Sequence, residues 1–181
     1  MLNFKEQYTE LFNVVCQFLG DGWRISQLDN DYGHRIKLTS SLYKNYSIIA
    51  RIEKGRINLF GSVDSKYFRG GYHSCSVSSK REPWAIANDI RKKILFDAAE
   101  QIHLADVARK SQEEQNDEIL ILKGLLSRLV TLEHYYGALC GFKHEKVSGA
   151  IEQRYNGNYT LKIDSLDKDT LIRVVGFLST L

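Results

Sequence analysis

The 181-residue sequence predicts an α+β fold, an antiparallel β-meander packed by helices and followed by a second helix/β-hairpin/helix lobe. Three observations carry this. Residues 46–63, YSIIARIEKGRINLFGSV, alternate apolar and polar on both sides of a Lys-Gly pair, the pattern of a hairpin closed by a two-residue turn. Stretches near both ends and in the middle instead repeat apolar residues every three or four positions, as amphipathic helices do. Between them, RKSQEEQNDE at 109–118 holds no apolar residue and marks either a long exposed helical stretch or a break between 1–108 and 119–181, two lobes or two halves of one core.

In chain order, Phe4, Tyr8, Leu11, Phe12, Val15, Phe18 and Leu19 predict a helix over 3–19, ended by Gly20 and Gly22. Two short strands, 23–28 and 35–40, flank the turn-rich DNDYG of 29–33. In the second, Ile36 and Leu38 point one way and Arg35 and Lys37 the other. With Lys54-Gly55 as the hairpin turn, Glu53 pairs with Arg56, Ile52 with Ile57, Arg51 with Asn58, Ala50 with Leu59 and Ile49 with Phe60. That register gathers Ile48, Ala50, Ile52, Ile57 and Leu59 on a face to be buried, and Arg51, Glu53, Arg56, Asn58 and Phe60 on the other. The strand 72–78 turns His73, Cys75 and Val77 inward and Tyr72, Ser74, Ser76 and Ser78 outward.

Ser79 and Glu82 form a candidate capping box ahead of Pro83, opening a helix whose stripe runs from Ile86 through Ile90, Ile94, Ala98 and Ile102 to Ala105. After the polar stretch, Leu122, Leu125, Leu129, Leu132 and Tyr136 repeat at heptad spacing, predicting a helix from 119 that Gly137 and Gly141 end. The seam suits a neighbouring helix or a homodimer contact through Leu122, Leu125, Leu129 and Leu132. A second hairpin follows, 146–155 and 159–164, its three-residue loop pairing Tyr155 with Tyr159 and Ile151 with Ile163. Asp167 caps the last helix.

Catalytic signatures are missing from this sequence. It has no GxxxxGK[ST] loop and no GxSxG elbow, so neither a nucleotide cofactor nor a serine nucleophile is expected. His134, Cys140 and His144, or His73 and Cys75, lack the paired short spacings of a zinc site, and no metal is expected. Glu53 with Asp64 and Lys66 is similar to the acid-acid-lysine set of restriction-type nucleases, which would hold magnesium. The hairpin register separates Glu53 from Asp64 by more than about 20 Å at roughly 3.3 Å per residue, too far for one ion. The expectation is a protein without catalytic function.

Charge carries the functional reading. Residues 35–93 hold 13 basic against 4 acidic side chains, whereas 94–181 hold 10 against 13. Such asymmetry draws polyanions. The expected module binds RNA or single-stranded DNA, with Arg35, Lys37, Arg51 and Arg56 on strands, Lys66 and Arg69 on the 64–71 loop, and Lys80 and Arg81 at the helix start contacting phosphates. Phe60 or Tyr67 would stack on a base. Its general design is similar to sheet-platform single-strand binders, without their paired-aromatic signature. The alternative is a protein-binding regulator or inhibitor, as from a phage or other mobile element, since ten tyrosines and two tryptophans suit an interface. Three widely spaced cysteines, no basic leader ahead of an apolar core and no long apolar run predict a cytoplasmic protein without membrane contact.

Overall fold

The computed structural model describes residues 3–29 and 33–181 and divides them into two units, one extending to Glu113 and the other Glu114–Leu181. The fold is α+β, with two antiparallel sheets and four helices.

The first unit opens with α1 (Phe4–Leu19). The Asn3 side chain accepts from the Glu6 N–H at 2.9 Å and the Glu6 carboxylate accepts from the Asn3 N–H at 3.0 Å, a reciprocal cap that the expected 3–19 helix had not included. Gly20, at φ +67°, closes the helix and donates to the Cys16 carbonyl. Five strands follow as a meander: β1 (Arg24–Ile25), β2 (Arg35–Thr39), β3 (Tyr46–Glu53), β4 (Arg56–Val63) and β5 (His73–Ser78), neighbours throughout in that order. β1 is shorter than the 23–28 expected, and most of the turn at 29–33 lies outside the described residues. The β3–β4 register pairs Glu53 with Arg56 and Ile49 with Phe60, as the alternation requires.

The apolar side of this sheet buries Ile36, Leu38, Ile48, Ala50, Ile57, Leu59, Cys75 and Val77 beneath Phe12 and Val15 of α1 and Ile86 and Ile90 of α2 (Pro83–Lys93). Ile52, assigned to that face, sits beside the turn and is 43% exposed, although Ile57 opposite it is buried. Pro83 opens α2 at its first turn, but the expected capping box is absent; Glu82 is the N-cap and its side chain makes no cap bond. The helix expected to run on to Ala105 breaks after Lys93. The Tyr46 hydroxyl donates to the Ile94 carbonyl at 3.0 Å, and the chain turns so that both Ile94 and Ala98 stay buried.

The next helix, α3 (Ala98–Leu126), passes without interruption through the polar stretch, which is thus an exposed helical segment, and the division between the two units at Glu113 and Glu114 falls within it. Proline is absent from it and its first glycine is Gly124; Arg109 bonds Glu113 one turn on at 2.8 and 3.0 Å.

In the second unit the heptad seam does not exist as a helix. α3 stops at Leu126, Leu129 follows it, and Leu132 lies on a strand. The seam residues therefore occupy three different local structures and cannot form one continuous helical stripe. A four-stranded meander replaces the single expected hairpin: β6 (Thr131–Glu133), β7 (Cys140–His144), β8 (Val147–Gln153) and β9 (Tyr159–Asp164). The β8–β9 register is Gln153 with Tyr159 and Ile151 with Leu161, two residues from the expected pairing and therefore unchanged in which face each residue takes. α4 (Lys168–Leu178) is capped by Asp167, whose side chain accepts from the Thr170 N–H at 2.8 Å.

Candidate binding face

The polar side of the five-stranded sheet is a ladder of cross-strand rows. One row is Arg35, Arg51, Asn58 and Ser76; the next is Lys37, Ile49, Phe60 and Ser74. Arg51, Arg56, Ser74, Ser76 and Ser78 are exposed and Phe60 is half-buried, so no helix of this unit covers the surface. Period-two alternation thus brings Arg35, Lys37, Arg51, Arg56 and Phe60 together on one wet face.

Carboxylates come with them. Asp29 takes the Arg35 guanidinium in a fork at 2.6 and 3.0 Å. That hydrogen bonding, and then the Arg35 charge, hold the Asp29 carboxyl below its ordinary range against the opposing effect of burial. Lys37 meets Asp64 at 2.7 Å, and Ser47 donates to the same carboxylate oxygen at 3.2 Å. Arg51 pairs with Glu53 at 2.6 Å, and Asn58 donates to Glu53 at 2.9 Å. Arg56 instead bonds the Ser76 hydroxyl and carbonyl, at 2.9 and 3.2 Å. Three of these four cations are therefore balanced by acids, two of which, Asp29 and Asp64, come from the loops bordering the strands. The centre of the face is a small cluster: the Arg51 guanidinium lies 4.7 Å from the Phe60 ring centroid, and the Tyr72 ring stands 6.2 Å from that of Phe60.

The remaining candidates are dispersed. Lys66 and Tyr67 face α3 across a cavity of about 180 Å³ that Asp106 and Arg109 also line. The Ser65 hydroxyl, which accepts from the Tyr67 and Phe68 N–H groups at 3.2 Å each, shapes that loop. Arg69 and Lys80 are exposed and make no ion pair among the described residues. Arg81 turns to Asp89 of α2 at 2.9 Å, sharing it with Lys93.

Sequence reasoning did not single out Tyr72, although its parity with Ser74 already set it on the Phe60 side. The acids Asp29 and Asp64 gave no local signal, since the first lies on a loop and the second closes a strand 27 residues from Lys37. The thiol of Cys75 is pushed up to about 11 by burial above all, with Asp89 adding to the effect, and Cys16 rises to about 11 by burial. Among the described residues no three His, Cys, Asp or Glu side chains converge as metal ligands, and no helix is long and apolar enough to cross a membrane. No protein-family model matches the chain, and no curated protein or solved structure shows significant similarity to it.

Proposed function

We propose that the chain is a non-catalytic protein-binding module, a regulator or inhibitor acting by occupancy, whose contact centre is the uncovered sheet face around Arg51, Phe60 and Tyr72. One observation carries this reading: the face has an exposed Arg-aromatic cluster in near charge balance, rimmed by Ser74, Ser76 and Ser78. Aromatic and arginine anchors inside a polar rim are the composition of protein interfaces, and acids interleaved with bases weaken the field that a polyanion would need. Three buried free thiols support a reading in a reducing compartment such as the cytoplasm.

A photoreactive phenylalanine at position 72, expressed in the source cells, tests the proposal. The expected result is a discrete protein adduct that Phe60→Ala and Arg51→Glu each reduce strongly, in line with the ~2 kcal/mol typical of an interface anchor. No adduct, or adducts indifferent to both variants, overturns it.

A second reading, binding of RNA or single-stranded DNA, draws support from Arg56, Lys66, Arg69 and Lys80, which have no carboxylate partner among the described residues. It requires phosphates to displace Asp64 and Glu53, which costs little because those pairs are exposed and worth about 0–1 kcal/mol, and to reach Arg35 past the more buried Asp29 fork, which costs more. Oligonucleotide affinity that falls by decades between low and physiological salt, and falls further in Arg51→Glu/Arg56→Glu, would establish this reading instead.

A further inference from the structure

β5 is the last strand of its sheet and has β4 as its single neighbour. Which of its backbone groups face outward follows from the β3–β4 hairpin. The two-residue turn makes Glu53 and Arg56 a pair that exchanges both main-chain bonds, and every second pair beyond it does the same. The Asp64 N–H, bonded to the Asn45 carbonyl at 2.6 Å, falls in that series. Arg56, Asn58 and Phe60 therefore turn their N–H and C=O toward β3, which leaves Ile57, Leu59 and Gly61 to bond Val77, Cys75 and His73. Ser74, Ser76 and Ser78 consequently turn theirs to the open edge. Among the described residues two of these groups are taken: the Ser78 carbonyl accepts from the Arg81 N–H at 3.1 Å, and the Ser76 carbonyl from the Arg56 guanidinium at 3.2 Å. Each carbonyl keeps a second lone pair. The strand itself, HSCSVS, has no lysine, acid or proline, and its register with β4 runs through six pairs without a bulge, so the usual guards of a sheet edge are missing.

We propose that this edge pairs with the β5 edge of a second copy of the chain, antiparallel about a two-fold axis at Cys75, joining the two sheets into one. Ser74 then stands opposite Ser76 of the second copy, Cys75 opposite its counterpart, and His73 opposite Val77. Outward-facing backbone groups meet outward-facing ones, serine meets serine on the wet side, and apolar residues meet on the side the helices cover. That match requires an incoming strand with β5's own alternation read backwards, which β5 supplies, and a two-fold contact of this kind closes on itself. An axis at Ser76 would keep the same parity but bring the two Arg56 guanidiniums together. The axis at Cys75 instead sets each beside Ser74 of the other copy, whose hydroxyl is an acceptor. At the His73 end Tyr72 is 69% exposed, and Phe96, 63% exposed, stands edge-on to the His73 ring at 4.6 Å. The strand and these two rings cover on the order of 500 Å² per copy, the small end of specific interfaces, which sets the affinity in the micromolar range.

Sedimentation equilibrium of the full chain from roughly 1 to 300 µM tests it. The mass is expected to rise with concentration from 20.8 kDa toward twice that value. Ser74→Pro removes an N–H that bonds nothing within one copy, so it should keep the far-UV spectrum while holding the mass at that of a single chain. A pair of double variants tests the register without proline. Ser74→Lys/Ser76→Lys sets lysine opposite lysine twice and should weaken association about tenfold, whereas Ser74→Lys/Ser76→Glu sets lysine opposite glutamate twice and should retain it. Phe60→Ala should leave association unchanged, which separates this contact from the sheet-face reading. A single-chain mass at the highest concentration, a folded Ser74→Pro variant that still dimerises, equal behaviour of the two double variants, or loss of the dimer in Phe60→Ala would each overturn the proposal.

Discussion

Gly61 lies at the point where the sheet meets the α2–α3 corner. A methyl group there would overlap the Ile94 Cγ2 and press on the Tyr46 hydroxyl, which is held by the Ile94 carbonyl. None of these groups has space to retreat, since Gly61, Tyr46 and Ile94 are all buried. Gly61→Ala is therefore expected to cost about 1–3 kcal/mol by overpacking, read as a lower urea midpoint at constant slope. Two carboxylates give the unit its acid sensitivity. Asp29 is held below its ordinary range by the Arg35 hydrogen bonds, and Asp97 likewise, where burial pushes upward but hydrogen bonds from Gln101 and from His73 at 2.8 Å prevail. Because both folded-state values are depressed, their contribution to stability is complete above the unfolded value near 4 and is lost as pH falls through the lower folded values. Melting temperature should thus drop steeply below about pH 4, and Asp29→Asn should flatten that drop while lowering the plateau near neutrality. A profile indifferent to Asp29→Asn would show that the fork with Arg35 does not stabilise the fold.

At the scale of elements, legibility followed the range of the forces involved. The central hairpin was readable to the residue because its alternation and its turn agree: Lys54 and Gly55 both adopt positive φ, +50° and +74°, as a two-residue primed turn requires. The later hairpin was readable only to parity. Its apolar pattern set the faces, but loop length decides which residues oppose, and five residues rather than three separate Gln153 from Tyr159. β6 and β7 were hidden for a different reason. Leu129 and Leu132 mimic a heptad, and Gly141 reads as a helix terminator, whereas it sits in the middle of a sheet pair opposite Glu133 and Ala150, with the Tyr135 side chain over it. The helix α4 depends on a local device that was visible. Asp167→Ala removes the bond to the Thr170 N–H and should cost about 1 kcal/mol, with loss of helical ellipticity confined to the second unit. An unchanged spectrum and stability would mean the cap is idle in solution.

For the whole molecule, the charge count marks 35–93 as rich in bases but could not reveal how those bases are neutralised. Asp29, Asp64 and Glu53 reach Arg35, Lys37 and Arg51 only once strands are paired, and a net count carries no information on which acid meets which base. Burial is distributed just as unevenly. Every buried residue of the principal hydrophobic cluster lies between Phe4 and Ala98, inside the first unit. In the second unit the buried hydrophobic side chains are Cys140, Phe142 and Ala150, while α4 buries none of its residues and leaves Leu171, Ile172, Val175 and Leu178 about half exposed or more. A chain of that length ordinarily needs to remove about 60% of its unfolded surface from water to be marginally stable, and so few buried side chains fall short of it. The fragment 1–113 is accordingly expected to fold alone, with a cooperative urea transition and the acid sensitivity assigned to Asp29 and Asp97. The fragment 114–181 is expected to show no cooperative transition and to bind a hydrophobic dye. A cooperative 114–181 fragment would mean that its apolar surfaces find cover from one another or from a second copy, and concentration dependence of its midpoint would tell those two cases apart.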